Sequence, residues 1–120
     1  MRYGLIVCLV LVCMAMLVGC PASSVVEGDA PEGGYLTCAI KTHECIIDNG
    51  KYYISGTIYR GDLCSEDIVI KVEWYNGNKL IHTSWGYVYD VEKGETKQFK
   101  APEEGWAGRP TRYYVLCHGN

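Results

Sequence analysis

The sequence predicts an all-β protein, a small antiparallel β-sandwich of about six strands that follows an N-terminal leader and a flexible linker. Tyr, Trp and β-branched residues are abundant, and apolar residues alternate with polar ones along several short segments. Turn signals recur every ~10 residues, which is typical of sandwiches and barrels. A chain of 120 residues suits one domain with a short appendage.

The chain begins with an apolar leader. Arg2 supplies a positive charge, and an apolar run extends from Leu5 to Val18. This run is shorter than the ~20 residues that a membrane-spanning helix needs, so a secretory signal peptide fits it better. Its end, LVGC at residues 17–20, resembles the lipobox of prolipoproteins. The resemblance implies that residues 1–19 are removed and that Cys20 carries diacylglycerol.

An uncleaved anchor and ordinary cleavage near Ala22 are the alternatives to lipidation of Cys20. A lipid anchor implies an extracytoplasmic position on the cell membrane or envelope, in an oxidising compartment. Residues 20–34 are rich in Pro, Gly, Ser and acidic residues and predict a flexible tether, so the domain occupies residues 35–120. The net charge is −3 and no basic run occurs, which argues against nucleic acid as a partner.

The predicted strands are defined by their alternation and by the turns between them. In order they are ECII, KYYISGTIY, DIVIKVEWY, LIHTSWGYVYDV, ETKQFKA and TRYYVLC. The intervening turns and loops are DNG, RGDLCSED, NGN, EKGE and APEEGWAGRP. In the third strand the residues predicted to face inward are Ile68, Ile70, Val72 and Trp74. The fourth strand is expected to bend near Gly86.

Seven cysteines are present, of which Cys8 and Cys13 lie in the leader. With Cys20 assigned to the lipid, the cysteines of the domain are Cys38, Cys45, Cys64 and Cys117. An even number in an exported chain predicts two disulfides, with three possible pairings. A four-cysteine zinc site is the alternative, but such sites usually carry close CxxC pairs and the sequence has none.

Three segments, GTIYRGD, DIVIKVEWYNGNKL and YVYDVEKGETKQF, resemble the FxLYD family of small immunoglobulin-like domains. VEWYN at residues 72–76 takes the place of the F-x-L-Y-D motif, from which Val72, Trp74 and Asn76 depart. GETKQF at residues 94–99 matches the later G-E-x-x-x-F turn. The match covers residues 44–116. It implies an immunoglobulin-like sandwich, often carried by exported lipoproteins, without established catalytic residues.

This layout also suggests how the cysteines pair. The third and last strands are expected to be antiparallel neighbours in one sheet, which brings Cys64 close to Cys117. The remaining pair is then Cys38–Cys45. Seven extended residues span ~23 Å, whereas disulfide-bonded Cα atoms lie ~5.5 Å apart. The second pairing therefore requires the chain to turn between Cys38 and Cys45.

The sequence offers aromatic residues rather than catalytic ones. His43, His82 and His118 are predicted to be surface residues, and no nucleophile elbow, phosphate-binding loop or metal-binding motif occurs. We therefore expect no enzyme activity, cofactor or metal. Trp85, Tyr87 and Tyr89 alternate on one face of the fourth strand, and Trp106 lies in a glycine-rich loop. These four either pack in the domain or bind a ligand by stacking and hydrogen bonding.

The predicted function is that of a noncatalytic, membrane-tethered binding or scaffold module of the cell envelope, with an envelope protein or glycan as partner. The alternative is an inhibitor of a secreted lysozyme or protease. Such an inhibitor presents a rigid loop to its target, for which the candidate segments are residues 62–67 and 103–110.

Overall fold

The computed structural model describes residues 26–31 and 37–119, and these ranges contain strands without a helix. The strands are β1 (Glu27–Asp29), β2 (Cys38–Asp48), β3 (Lys51–Arg60), β4 (Ile68–Asn76), β5 (Lys79–Val88), β6 (Thr96–Trp106) and β7 (Arg112–Gly119). They form a four-stranded sheet of order β1-β7-β4-β5 and a three-stranded sheet of order β2-β3-β6. The predicted all-β sandwich is confirmed.

The core lies between the two sheets and follows from the period-two pattern of their strands. On β4, the four residues predicted to face inward are all fully buried: Ile68, Ile70, Val72 and Trp74. Ile54 and Ile58 of β3 face them from the other sheet and are also fully buried. Burial of these apolar side chains is the main favourable contribution to folding.

The β2–β3 hairpin forms at the predicted DNG turn. Asn49 and Gly50 both have positive φ angles, 50° and 74°, as a two-residue hairpin loop of this sequence requires. The hairpin pairs Asp48 with Lys51 and continues in register to Cys38 and Arg60, with one irregularity between Ile40 and Thr42. The sequence therefore predicted this turn correctly.

The described residues contain seven strands where six were predicted, because the segment assigned to the tether contains β1. Glu27–Asp29 pairs in parallel with β7, from Glu27 beside Arg112 to Asp29 beside Tyr114. The preceding Val26 is buried in the core. A segment of low hydrophobicity is ordered here because it adds backbone hydrogen bonds to an existing sheet.

The last predicted loop, APEEGWAGRP, is wrong over residues 102–106. Strand β6 continues through these residues to Trp106, which pairs with Tyr52 of β3. Strand β5 extends from Lys79 to Val88 and includes Gly86. Gly86 allows close approach of β6, since a Cβ atom there would lie 2.6 Å from Cβ of Ala101.

The third and last predicted strands are antiparallel neighbours, as expected. They are β4 and β7, with Ile70 opposite Cys117. The four-plus-three division of strands is that of an immunoglobulin constant domain, but the order of neighbours differs. Such a domain places strands 1, 2, 5 and 4 in one sheet and 3, 6 and 7 in the other, whereas here strands 2, 3 and 6 form the smaller sheet.

The predicted Cys38–Cys45 pairing is wrong for this fold. Both residues lie on β2, which runs from Cys38 to Asp48 without the turn that the pairing requires. Cys38 pairs with Arg60 at one end of the hairpin, whereas Cys45 pairs with Ile54 near the other. Seven residues along a strand separate their Cα atoms by ~23 Å, far beyond the reach of a disulfide.

Candidate functional site: the outer face of the four-stranded sheet

Two aromatic residues of β5 and the tyrosine just after its end lie on the outside of the sandwich. Trp85, Tyr87 and Tyr89 keep 46%, 54% and 57% of their surface exposed. The residues between them point inward, and Gly86 and Val88 are buried. The rings of Tyr87 and Tyr89 are nearly parallel, with centroids 6.1 Å apart. The structure excludes packing of this stripe in the core, which leaves ordinary surface residues or a binding surface.

Strands β4 and β7 extend this aromatic edge into a continuous outer face. Lys71 of β4 lies between Trp85 of β5 and Leu116 of β7 in register. The next row contains Tyr87, Val69 and His118. Val69 is buried although it points away from the core. We call the surface formed by the outward residues of β5, β4 and β7 the outer face.

Charged groups occupy the middle of the outer face and connect its aromatic rings. The Lys71 ammonium lies 5.4 Å from the Trp85 ring centroid and 3.6 Å from Oε2 of Glu73. The Tyr75 hydroxyl donates to Oε1 of Glu73 at 3.2 Å, and the Arg112 guanidinium lies 4.9 Å from the Tyr75 ring. Aromatic rings, cations and a carboxylate therefore alternate across the outer face, and each interacts with the next.

The polar members of this network were missed by the sequence analysis. In the sequence, nothing distinguishes these members from other strand residues: Lys71, Glu73, Tyr75 and Arg112. The register of three paired strands brings them beside Trp85. The alternation of β4 did predict that Lys71 and Glu73 point away from the core. It contained no information about which neighbouring strands supply the aromatic rings.

Trp106 does not belong to the outer face. Its ring packs against the fully buried Trp74, with centroids 5.3 Å apart, and it stacks in parallel with His82 at 4.7 Å. Gly108 lies directly beneath the indole, where a side chain would collide with it. Trp106 therefore closes one side of the core and is half-buried, so it serves packing more than ligand binding.

Three of the four cysteines in the described ranges meet at one end of the sandwich. Cys38, Cys64 and Cys117 line a cavity of about 530 Å³ together with Leu63, His118 and neighbouring residues. All four cysteines are unbonded thiols. Cys64 and Cys117 share this cavity, as the strand layout predicted, but Cys38 lies with them rather than beside Cys45.

Cys45 has a separate environment beneath β7. Burial raises the pKa of its thiol from 9.0 to about 11. Nearby, Nδ1 of His43 and the Tyr113 hydroxyl share a hydrogen bond of 2.6 Å. Burial, and then the charge of Cys45, raise the pKa of Tyr113 to about 12. His43 was predicted to be a surface residue, but it is half-buried because it faces Tyr113 across the two sheets.

The loop between β3 and β4 is well braced. The Arg60 side chain donates to the carbonyls of Cys64 at 2.8 Å and Val91 at 2.6 Å, and the amide of Gly61 donates to the carbonyl of Thr37 at 2.7 Å. Leu63 stands on this loop with 75% of its surface exposed. A fixed backbone thus presents one apolar side chain to solvent.

The described ranges contain no cluster of three or more His, Cys, Asp or Glu side chains arranged to hold a metal ion. None of the elements described is a helix long and apolar enough to span a membrane. The predicted signal peptide and Cys20 lie outside the described residues.

Comparison of the chain with known proteins identifies no relative. No protein-family model, no curated protein and no solved structure matches the chain.

Proposed function

We propose that this protein is a lipid-anchored, extracytoplasmic module of the cell envelope that binds saccharides, without catalysis, on its outer face. The observation that carries the proposal is the row of exposed aromatic rings formed by Trp85 and Tyr87 of β5 and by Tyr89, just after the end of that strand. The proposed location outside the cytoplasm rests on the sequence, where an apolar leader ends at Cys20 in a lipobox-like motif. The resemblance to FxLYD domains of exported lipoproteins agrees with that location.

The composition of the outer face favours a polyhydroxylated ligand over a protein surface. Protein interfaces are depleted of charged residues at their core, whereas the middle strand of this face carries Lys71 and Glu73. Aromatic rings offer flat apolar surfaces to the C–H faces of a sugar ring. The adjacent ammonium, carboxylate and phenol supply donors and acceptors for its hydroxyls. A saccharide uses both kinds of group at once.

Titration with soluble oligosaccharides tests this function. The mature protein is mixed with chitohexaose, cellohexaose or solubilised peptidoglycan glycan strands, and the emission of its tryptophans is followed. Because Trp85 is exposed and Trp74 is buried, binding on the outer face should change the Trp85 contribution. We expect Tyr87→Ser, followed by tryptophan emission, and Trp85→Ala, followed by isothermal titration calorimetry because it lacks the reporter, each to weaken binding at least tenfold, which corresponds to about 1.4 kcal/mol.

The three-stranded sheet provides a matched control. Tyr59 points outward from β3 and has Lys41 5.4 Å from its ring centroid, so Tyr59→Ser removes the same kind of side chain from the opposite face. This variant should bind like the unaltered protein. Equal losses in Tyr59→Ser and Tyr87→Ser would exclude a site on the outer face. If no oligosaccharide binds and a photocrosslinker at position 87 traps a protein in intact cells, a protein ligand replaces the saccharide.

The lipid anchor is tested independently by the intact mass of the membrane-extracted protein. We expect a species that begins at Cys20 and carries the added mass of a diacylglyceryl group. A chain that begins near residue 22, or one that retains the leader, would refute the anchor but leave the saccharide site untouched.

A second candidate function, inhibition of a secreted lysozyme or protease, is favoured by the loop that carries Leu63. Inhibitors of hydrolases present a pre-organised segment, since rigidity lowers the entropy lost on binding. Here Arg60 fixes the loop backbone through two carbonyls, and Leu63 is the most exposed large apolar residue in the described ranges. The other candidate segment, residues 103–110, is weakened because its first part belongs to β6.

Assays against a panel of lysozymes and serine proteases test this second function. If the loop inhibits, Leu63→Asp should raise the inhibition constant at least tenfold, whereas Leu80→Asp should not change it. Leu80 is also exposed but lies on β5. Absence of inhibition across the panel at micromolar protein would remove this candidate.

A further inference from the structure

The three cysteines that line the end cavity come from separate parts of the chain. Cys38 begins β2 in the smaller sheet, Cys64 belongs to the loop before β4, and Cys117 lies near the end of β7 in the larger sheet. They meet because β7 pairs with β4, which places Gly119 opposite Ile68 just after this loop. A Cβ atom on Gly119 would lie 3.5 Å from Sγ of Cys64.

Cys38 is the common neighbour in this group. Its thiol is close enough to the Cys117 thiol and the Cys64 thiol to interact with both. Cys38 and Cys64 are buried and Cys117 is half-buried, so each sulfur has few alternative partners. Cys45 is excluded from the group because it lies farther along the same strand as Cys38, near the opposite end of the hairpin.

We propose that Cys38, Cys64 and Cys117 form a thiol–disulfide exchange site in which Cys38 is bonded to one of its two neighbours while the other stays a thiol. This arrangement replaces the two independent disulfides that the sequence predicted. It leaves Cys45 as a free thiol. The Cys38–Cys117 bond joins the two sheets of the sandwich, and Cys64 is the exchanging thiol.

The chemistry requires a disulfide of low molecular weight, such as cystine, as the oxidant. The thiolate of one cysteine attacks cystine, forms a mixed disulfide and releases one cysteine thiolate. A second thiolate of the site then attacks the protein sulfur and releases the second cysteine. Two protein thiols have thus been oxidised and one cystine has been reduced to two cysteines. The open cavity beside Leu63 gives such a molecule access to the sulfurs.

Exchange within the site needs no further oxidant. The Cys64 thiolate attacks Cys38 in the Cys38–Cys117 bond, the new Cys38–Cys64 bond forms, and Cys117 leaves as a thiolate that takes up a proton. Burial raises the pKa of Cys64, although the nearby Arg60 guanidinium opposes this effect. Exchange is therefore slow near neutral pH and accelerates as the pH rises.

Peptide mapping without reduction tests the proposal on the mature protein. The reduced, folded protein is treated with cystine, acidified, alkylated and digested with trypsin. Cleavage after Lys41, Arg60, Lys71 and Arg112 places Cys38, Cys45, Cys64 and Cys117 on four separate peptides, and Cys20 lies on the peptide of Cys38. We expect two crosslinks, Cys38–Cys117 and Cys38–Cys64, whose ratio shifts during incubation at alkaline pH. Cys45 should be found alkylated.

Serine variants make the assignment specific. Cys38→Ser should lose all intramolecular crosslinks and carry cystine adducts on Cys64 and Cys117, whereas the matched control Cys45→Ser should keep both crosslinks. Cys64→Ser and Cys117→Ser should each retain the one crosslink that remains possible, which guards against a folding defect in Cys38→Ser. Any other pattern would overturn the proposal, including a main Cys64–Cys117 bond, a bond to Cys45, or a single crosslink that never exchanges.

Discussion

At the centre of the sandwich, the indole of Trp74 combines full burial with a satisfied polar atom. Its Nε1 donates to Oγ of Ser84 at 2.9 Å, and Ser84 is itself buried. The ring contacts Tyr52, Trp106 and Tyr113 from several sides. A residue that packs against both sheets and also donates a buried hydrogen bond is difficult to replace.

Trp74→Phe should therefore lower the free energy of unfolding by about 2 to 4 kcal/mol, because it leaves a void and removes the partner of Ser84. Urea denaturation followed by circular dichroism measures this loss. The same substitution at the exposed Trp85 is the control and should change the free energy by less than about 0.5 kcal/mol. Equal effects at the two positions would contradict the assignment of core and surface.

Residue-level burial was the part of this molecule most accessible from sequence. Strict alternation over DIVIKVEWY predicted the inward direction of Trp74 and the outward direction of Lys71, and both are found. The thiol group was accessible only in part. The predicted pairing of the third and last strands placed Cys64 near Cys117, as found. The position of Cys38 beside them was missed, because it depends on how the smaller sheet packs on the larger one, which leaves no local pattern.

Among the elements, β5 and β6 show how the two sheets close at one side. They belong to different sheets but approach closely where Gly86 faces Ala101. A glycine in a strand costs stability through its unfolded-state entropy, and here that cost is offset by close packing of two backbones. Ala101 is fully buried at this contact.

Gly86→Ala should destabilise the protein by about 1 to 3 kcal/mol, since the new methyl group would lie 2.6 Å from Cβ of Ala101. Thermal or urea denaturation measures the change. Adding Ala101→Gly removes the colliding atom, so the double variant should be more stable than the sum of the two single effects by at least about 0.5 kcal/mol. Strict additivity would show that the two positions do not touch.

Element boundaries were less accessible from sequence than element types. The turn at Asn49-Gly50 was identified because its residues favour positive φ. The extension of β6 to Trp106 was missed, since Pro102, two glutamates and Gly105 are all unfavourable in strands. Pairing with β3 and packing of Trp106 on Trp74 outweigh those preferences. β1 was missed for the same reason, because its order depends on β7.

For the whole molecule, the burial of weakly acidic thiol and phenol groups makes the free energy of unfolding fall at alkaline pH. The pKa of Cys45 rises from 9.0 to about 11 and that of Tyr113 from 10.0 to about 12, in each case chiefly through burial. Above pH 9 the unfolded chain gives up protons that the folded chain keeps. The contribution of these groups is therefore complete below pH 9 and is lost progressively as the pH rises toward 12.

We expect the urea midpoint of the reduced protein to fall between about pH 9 and pH 11. Cys45→Ser removes one of the responsible groups, so its midpoint should fall less over the same interval. The comparison is made between this variant and the unaltered protein in the same buffers with reductant. A midpoint that stays constant, or one that rises, would contradict the burial of these acids.

The parallel pairing of β1 with β7 has a mechanical consequence. Because the strands run in the same direction, the start of β1 and the end of β7 lie at opposite ends of the pair. A force that pulls these two points apart slides the strands along each other, so their hydrogen bonds bear the load together. If the force instead separated two strands from one end, as in a hairpin, the hydrogen bonds would break one after another. A tether that precedes β1 would thus pull along the strands, which is the direction in which the domain resists force better.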